Sequence, residues 1–200
     1  MSRPYTGNKD GLAKGATAGL LALVDEISKK SGGALWNNGT FVNRPMRGKA
    51  SLSVHATGRA ADVSWRKLSA DKGKKNGREY AETMMNFLVQ HADALGLEMC
   101  IDYFPKPYGR AWRCDRNAWQ VYESEVVHGA PNGDWFHVEV SPEMAKKPEA
   151  IREIFAKHWI AQPIQNAESA QPEPVSQPAA SQEEKPKKLG LKRRNRKKND

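Results

Sequence analysis

The sequence predicts an α+β domain followed by a polar, basic tail. Apolar residues recur at three- and four-residue steps in a few long segments, which is typical of amphipathic helices. Other apolar runs are short, partly alternate with polar residues and end at Gly, Pro or Asn, which indicates strands. Because the two kinds of segment do not follow the rhythm of βαβ units, we expect a small antiparallel sheet flanked by helices.

The helices and strands can be placed from this spacing. Helices are expected at residues 12–30, 79–96 and from Pro148 to about Trp159. Gly96 provides a C-terminal stop for the second helix. Strands are expected at 97–103, 118–122 and 135–140, a Gly/Asn-rich loop at 32–39 and a short extended run at 40–42.

Composition changes sharply near Ala161 and divides the chain in two. Residues 161–200 consist largely of Gln, Pro, Ala, Ser and Glu and end in KPKKLGLKRRNRKKND. Such a segment buries too little apolar surface to offset the entropy of ordering, so we expect a disordered basic tail. The tail holds nine of the 32 Lys/Arg and five of the 23 Asp/Glu, which leaves the domain at 1–160 basic as well.

Cysteine usage and the N-terminal sequence bear on the compartment. Cys100 and Cys114 lack the spacing of a structural zinc site, and we expect reduced, packed thiols, with a single bridge as the alternative. Residues 15–24 are apolar, but Asp25 and Glu26 follow at once and no cleavage site is recognisable, which favours a first helix over a signal peptide. No apolar run reaches the roughly 18 residues that a membrane span needs.

A His and an Asp seven positions apart form the first candidate site. Residues 53–62 read Ser-Val-His-Ala-Thr-Gly-Arg-Ala-Ala-Asp. A tight turn at Gly58 can bring the side chains of His55 and Asp62 to one point. Imidazole nitrogen and carboxylate oxygen are ordinary zinc ligands. Taken alone, the same pattern also fits a hydrogen-bonded turn.

A second motif supplies further ligand and acid candidates. Residues 133–139 read Gly-Asp-Trp-Phe-His-Val-Glu, on the last predicted strand. His137 provides a third metal ligand, and Asp134 a general base for a water activated by zinc. Glu139 should face the same side of the strand as His137, and we expect it to be solvated or salt-bridged.

The chain resembles a family of zinc peptidases that includes D-alanyl-D-alanine carboxypeptidases and phage L-alanyl-D-glutamate endolysins. The resemblance rests on two sharp motifs, Ser53-x-His55-x-x-Gly58-x-Ala60-x-Asp62 and Asp134-x-x-His137, and extends in order of elements over residues 12–160. It implies the hedgehog/DD-peptidase fold. It also implies that His55, Asp62 and His137 bind one Zn²⁺ and that Asp134 is the catalytic base.

The resemblance implies helper residues as well. Ser53 and an arginine before the first motif, either Arg44 or Arg47, are expected to hold a carboxylate of the substrate, because Arg pairs with carboxylates in bidentate fashion. His128 either stabilises the tetrahedral intermediate or is a surface turn residue. The groove that decides which bond is cut is expected in residues 103–120, with Tyr103, Tyr108, Trp112 and Trp119.

The resemblance implies a zinc metallopeptidase that hydrolyses a peptide bond in the stems of bacterial peptidoglycan, of the D,D-carboxypeptidase or L-Ala-D-Glu endopeptidase type. A monomeric phage lysin fits best, present in the host cytoplasm before lysis or carried by the virion. The alternative is a non-catalytic, zinc-stabilised virion or interaction protein. Its basic tail would bind nucleic acid or an anionic polymer of the cell envelope.

Overall fold

The computed structural model describes residues 2–46, 48–66, 76–125 and 128–160. Arg47 and the tail predicted at 161–200 lie outside the described residues. The helices are α1 (Ala18–Lys30), α2 (Asn76–Gln90), α3 (Ala92–Leu95) and α4 (Pro148–His158), with 3₁₀ turns at Val54–Thr57 and Met144–Lys146. The strands are β1 (Trp36–Gly39), β2 (Ala60–Ser64), β3 (Leu97–Asp102), β4 (Arg110–Arg113), β5 (Ala118–Val121) and β6 (Trp135–Val140).

The strands form one six-stranded sheet in the order β1-β2-β6-β3-β4-β5. Each neighbouring pair is antiparallel. The predicted α+β class with a small antiparallel sheet is therefore confirmed. The last strand in sequence, β6, lies between β2 and β3, so it occupies the interior of the sheet.

Strand register separates the sheet into two faces with different roles. Val138 on β6 lies opposite Ala61 on β2 and Cys100 on β3, and Cys100 lies opposite Trp112 on β4. All of these residues are buried in the hydrophobic core that α1, α2 and α4 complete. The core therefore lies on the helix-covered face, and alternate residues of the same strands point to the opposite face.

Several predicted elements match the structure and others do not. The strand at 135–140 and the helix from Pro148 are confirmed, as is the stop at Gly96, which caps α3 in a left-handed conformation. The loop predicted at 32–39 is correct for residues 32–35 and wrong from Trp36, because Trp36–Gly39 pairs with β2 as an edge strand. The strands β2 and β4 were not predicted, since β2 begins within the first motif and β4 lies within the segment assigned to a groove.

The helix predicted at 12–30 begins only at Ala18. The backbone before it is used differently: the amide of Ala13 donates to the carbonyl of Ala56 (2.9 Å), and that of Thr17 donates to the carbonyl of Gly58 (2.9 Å). Residues 13–17 therefore lie along the 3₁₀ turn at Val54–Thr57; residues 2–17 together are called the N-terminal segment. Amides committed to another segment are not available for a helical turn.

A buried arginine ties the N-terminal segment to the sheet. Arg59 is only 1% exposed. Its guanidinium donates to Asp10 (2.7 and 2.9 Å) and Glu98 (3.3 Å), and to the carbonyls of Gly7 and Val140. This network joins the segment to the beginning of β3 and the end of β6.

Cys100 and Cys114 are both free thiols and both buried, as expected for cysteines that pack as small apolar side chains. Burial raises the pKa of each thiol above its ordinary value. Within the part of the chain that the structure describes, no helix combines the length and apolarity needed to cross a membrane.

Candidate metal centre

Two central strands place Asp62 and His137 side by side. Asp62 on β2 is the register partner of His137 on β6, so both side chains leave the same face of the sheet. This is the face opposite the helices, because Val63 and Val138, the adjacent residues, are in the core. Along β6, Phe136 and Val138 therefore point into the core, and His137 between them points to the opposite face.

His55 reaches the same point from the 3₁₀ turn that precedes β2. Gly58 caps this turn with φ of +73°, a left-handed conformation that glycine adopts without strain. A side chain at this position would also collide with the carbonyl oxygen of Gly15. The tight reversal at Gly58, predicted from the sequence, therefore brings His55 back over Asp62.

The three side chains converge closely enough to share one metal ion. One ligand atom from each of His55, Asp62 and His137 lies within 4.8 Å of the other two. Asp62 Oδ1 is 3.0 Å from His137 Nδ1 and 3.5 Å from His55 Nε2. The two imidazole rings meet edge to face with centroids 4.9 Å apart. Both histidines are buried and Asp62 is partly buried.

Each imidazole is oriented by its other nitrogen. His55 Nδ1 is 2.7 Å from the carbonyl oxygen of Thr40, which leaves Nε2 directed at Asp62. His137 Nε2 is 3.0 Å from Glu139 Oε1, which leaves Nδ1 directed at Asp62. Outer contacts of this kind fix the tautomer and the ring plane of metal-binding histidines. Thr40 and Glu139 were missed as site residues because a backbone carbonyl leaves no sequence signal and the two-residue offset of Glu139 is common on strands.

The pKa values follow from this arrangement. Burial lowers the pKa of His137, but the hydrogen bonds to Asp62 and Glu139 outweigh burial and raise it to about 10. Burial raises the pKa of Asp62, but the hydrogen bonds from the two histidines outweigh it and hold the pKa well below its ordinary value. Without a metal, the two neighbouring carboxylates therefore favour the protonated form of the His137 ring. A divalent cation and the Nδ1 proton would compete for the same position.

Glu139 forms an ion pair with His137 and is not solvated. Its side chain is buried beside His137, which decides between the two alternatives given for it above. Its Oε2 accepts a hydrogen bond from the hydroxyl of Tyr5 at 2.8 Å. Burial, and then the neighbouring carboxylate of Glu139, raise the pKa of Tyr5 well above its ordinary value, so the hydroxyl keeps its proton and donates.

Asp134 lies at the beginning of the strand that carries His137. Its carbonyl accepts hydrogen bonds from the amide of Trp65 (3.1 Å) and from Ser64 Oγ (2.9 Å), which fixes its backbone between β2 and β6. Its carboxylate is 3.3 Å from Nε of Arg66 and is about a quarter exposed, at 25%. The catalytic role given to Asp134 stays a prediction, and any such role must accommodate this ion pair.

The two described substrate-binding candidates lie together. The amide of Ser53 donates to the carbonyl of Arg44 (3.1 Å), and Pro45 and Leu52 form a bridge between the same two stretches. Ser53 directly precedes the turn that carries His55, and its hydroxyl does not cap that turn. Arg47, the other arginine candidate, lies outside the described residues.

The remaining candidates are spread more widely. His128 lies in an exposed turn, with Nδ1 3.5 Å from a carboxylate oxygen of Glu125, as the surface alternative anticipated. The assignment of Trp112 to a groove is wrong, because it is 2% exposed and faces the core. Tyr103 stacks on Trp135 with centroids 4.9 Å apart. Trp135 precedes His137 by two residues and shares its face of the sheet.

Comparisons with protein-family models, with curated proteins and with solved structures gave no match for this chain. The site is therefore interpreted from its own chemistry. Two imidazole nitrogens and one carboxylate oxygen form a donor set that suits zinc, and three protein ligands leave further coordination positions open. The converging, pre-oriented nitrogens of His55 and His137 fit a metal ion of this type.

Proposed function

We propose that this protein is a zinc-dependent peptidase that hydrolyses a peptide bond in the stems of bacterial peptidoglycan. The observation that carries the proposal is the convergence of His55, Asp62 and His137 within 4.8 Å, on the same residues as the peptidase-like motifs. The hedgehog/DD-peptidase fold and a phage lysin, of the carboxypeptidase or the endopeptidase type, belong to the same proposal. The antiparallel sheet with β6 in its interior is consistent with it.

The residues have distinct roles in this account. His55, Asp62 and His137 would hold the ion, with Thr40 and Glu139 fixing the two rings. Bound zinc supplies Lewis acidity, which activates water at neutral pH and polarises a peptide carbonyl. Asp134, whose backbone carbonyl accepts a hydrogen bond from Ser64 at the end of β2, would take the proton of the attacking water and pass it to the leaving amine.

Arg44 and Ser53 bind the substrate in the same account. Peptidoglycan stems contain free carboxylates, and a guanidinium and a hydroxyl are suitable partners for them. Ser53 precedes His55 by two residues, and its backbone amide donates to the carbonyl of Arg44, which supports this assignment. A substrate carboxylate held there would fix the peptide beside the metal position. The scissile bond would then be oriented for attack before the reaction begins.

A second candidate function is favoured by one observation. The carboxylate of Asp134 is engaged by Arg66, as expected for a structural ion pair. On this alternative the metal only holds the fold, and the protein is a non-catalytic virion or interaction component. Its basic tail would then bind nucleic acid or anionic envelope polymers.

One experiment separates the two functions. Purified cell wall embedded in a gel is exposed to the zinc-supplied wild type and to the His137→Ala and Asp134→Ala variants. His137→Ala should lose clearing, because it removes a metal ligand. Asp134→Ala should retain zinc but clear at a rate lower by about 10²–10⁴-fold, the usual contribution of a general base. Zinc content is measured on each variant by elemental analysis.

Absence of clearing by the wild type, or equal clearing by His137→Ala, would remove the peptidase proposal. An Asp134→Ala variant that clears as well as the wild type would remove Asp134 as the base. A wild type that binds zinc, never clears cell wall and unfolds at lower urea concentration once zinc is removed would favour the structural alternative.

A further inference from the structure

Glu139 contacts both His137 of the candidate metal centre and Tyr5 of the N-terminal segment. We propose that Tyr5 is a positioning residue for metal binding: through Glu139 it fixes the ring of His137 and so sets the affinity of the site for zinc. The inference rests on the proposed metal centre and extends it to a residue that neither motif contains.

The first step is the dependence of His137 on Glu139. A ring that offers Nδ1 to a metal carries its proton on Nε2, and this proton needs an acceptor because His137 is buried. Glu139 Oε1, 3.0 Å away, is that acceptor. A carboxylate in this position makes the imidazole a better donor to the metal and prevents the ring from turning.

The second step is the dependence of Glu139 on Tyr5. The Glu139 side chain is 5% exposed, so bulk water has little access to its second oxygen. The Tyr5 hydroxyl donates to this oxygen at 2.8 Å. Among the described residues, each carboxylate oxygen thus has one hydrogen-bond partner, and the carboxylate plane is fixed by two hydrogen bonds instead of one. Loss of the hydroxyl would leave a buried carboxylate oxygen unpaired, which favours rotation away from His137.

The third step is that Tyr5 itself is held from both sides. Arg3 donates to the carbonyls of Leu97 (2.6 Å) and Ala92 (3.1 Å), and the amide of Thr6 donates to Glu98 Oε1 (3.3 Å). The guanidinium of Arg113 lies 5.0 Å from the centre of the Tyr5 ring. These contacts anchor the segment at the beginning of β3, next to Glu139 on β6.

The same segment also contacts the element that carries the other histidine. Ala13 and Thr17 bond to the carbonyls of Ala56 and Gly58, in the turn that holds His55. Both histidine-bearing elements are therefore braced by residues 2–17. A contribution to metal affinity follows from this bracing, because a pre-oriented ligand set loses less entropy on binding.

The test measures zinc affinity directly, by competition with a chromogenic chelator, on the full chain. Tyr5→Phe should weaken zinc binding by about tenfold, and Glu139→Gln by roughly 10–100-fold, the usual range for an outer contact of a metal ligand. The matched control is Tyr80→Phe, which removes the hydroxyl of a partly buried tyrosine on α2 that packs against the core. Tyr80→Phe should bind zinc as the wild type does.

A second measurement distinguishes the positioning role of Tyr5 from a purely structural one. It is urea unfolding of the wild type and the variants after zinc has been removed with a chelator. Tyr5→Phe with weakened zinc binding and an unchanged urea midpoint supports the positioning role. Wild-type zinc affinity in Tyr5→Phe overturns it, as does a loss of affinity that Tyr80→Phe shares. Should Tyr5→Phe fail to fold, Glu139→Gln with wild-type affinity overturns it instead. Failure of the wild type to bind zinc is a different result, since it removes the metal centre itself.

Discussion

Gly58 illustrates how one residue without a functional group controls the site. It has φ of +73°, and a Cβ atom at this position would collide with the carbonyl oxygen of Gly15. The reversal it permits carries His55 to Asp62. The glycine of the first motif therefore has a conformational and a packing reason to be glycine, in addition to its place between two ligands.

We expect Gly58→Ala to destabilise the fold for both reasons. The left-handed conformation costs about 1–2 kcal/mol for a residue with a Cβ, and the collision with Gly15 adds about 1–3 kcal/mol. Gly33→Ala is the matched control, because Gly33 has φ of +83° and nothing within 4 Å of an added Cβ. Urea unfolding measures both losses. Equal losses would contradict the packing argument, because only Gly58 meets the backbone of the N-terminal segment.

The candidate ligand residues were predictable from the sequence, and their outer contacts were not. His55 and Asp62 alone also fit a hydrogen-bonded turn, and the second motif with His137 is what favours a metal site. Thr40 contributes only its carbonyl, and Tyr5 is separated from Glu139 by most of the domain, so no local pattern connects either of them to the site. Trp112 was misplaced because an aromatic side chain fits a core and a groove equally well.

At the scale of elements, the N-terminal segment takes the place that a longer α1 was predicted to fill. Its attachment depends on Arg59, whose guanidinium joins Asp10 and Glu98 beneath it. A buried ion pair adds little net stability over apolar packing, but removal of one partner leaves the other charge buried and unpaired. The network therefore makes the placement of the segment sensitive to a single substitution.

Arg59→Met should lower the free energy of unfolding by about 3–5 kcal/mol, the range for breaking a buried pair. Arg152→Met is the control, because Arg152 pairs with Glu149 on the exposed side of α4, where a loss within about 1 kcal/mol is expected. Urea unfolding at neutral pH measures both. Equal and small losses in the two variants would contradict the role of Arg59.

The ion pair between Arg59 and Asp10 predicts that the stability of the fold depends on pH. Burial raises the pKa of Asp10, but its hydrogen bonds with Arg59 outweigh burial and lower it below the ordinary value. A carboxyl with a lowered pKa in the folded chain stabilises the fold above its unfolded pKa, and this contribution is lost as the pH falls through the folded pKa. The difference between wild type and Arg59→Met should therefore narrow under acidic conditions. A difference that stays constant would contradict this assignment.

At the scale of the whole molecule, the two faces of the sheet have different surroundings. One face packs on the helices and forms the core, and the other carries Asp62 and His137 of the candidate metal centre. The class of fold followed from local spacing, because helix and strand periodicities are local. The order of the strands did not, since the placement of β6 between β2 and β3 depends on contacts between residues far apart in sequence. That placement is what brings Asp62 and His137 together.

The proposed function requires that a metal ion held by His55, Asp62 and His137 supports the hydrolysis of cell-wall peptides. Its most direct measurement is a zinc titration of the chelated wild type, with clearing of purified peptidoglycan and bound zinc followed in the same samples. Clearing should be absent after chelation and rise in proportion to bound zinc up to one ion per chain, with His137→Ala inactive throughout. Clearing that survives chelation unchanged, or that fails to follow zinc occupancy, would contradict the account.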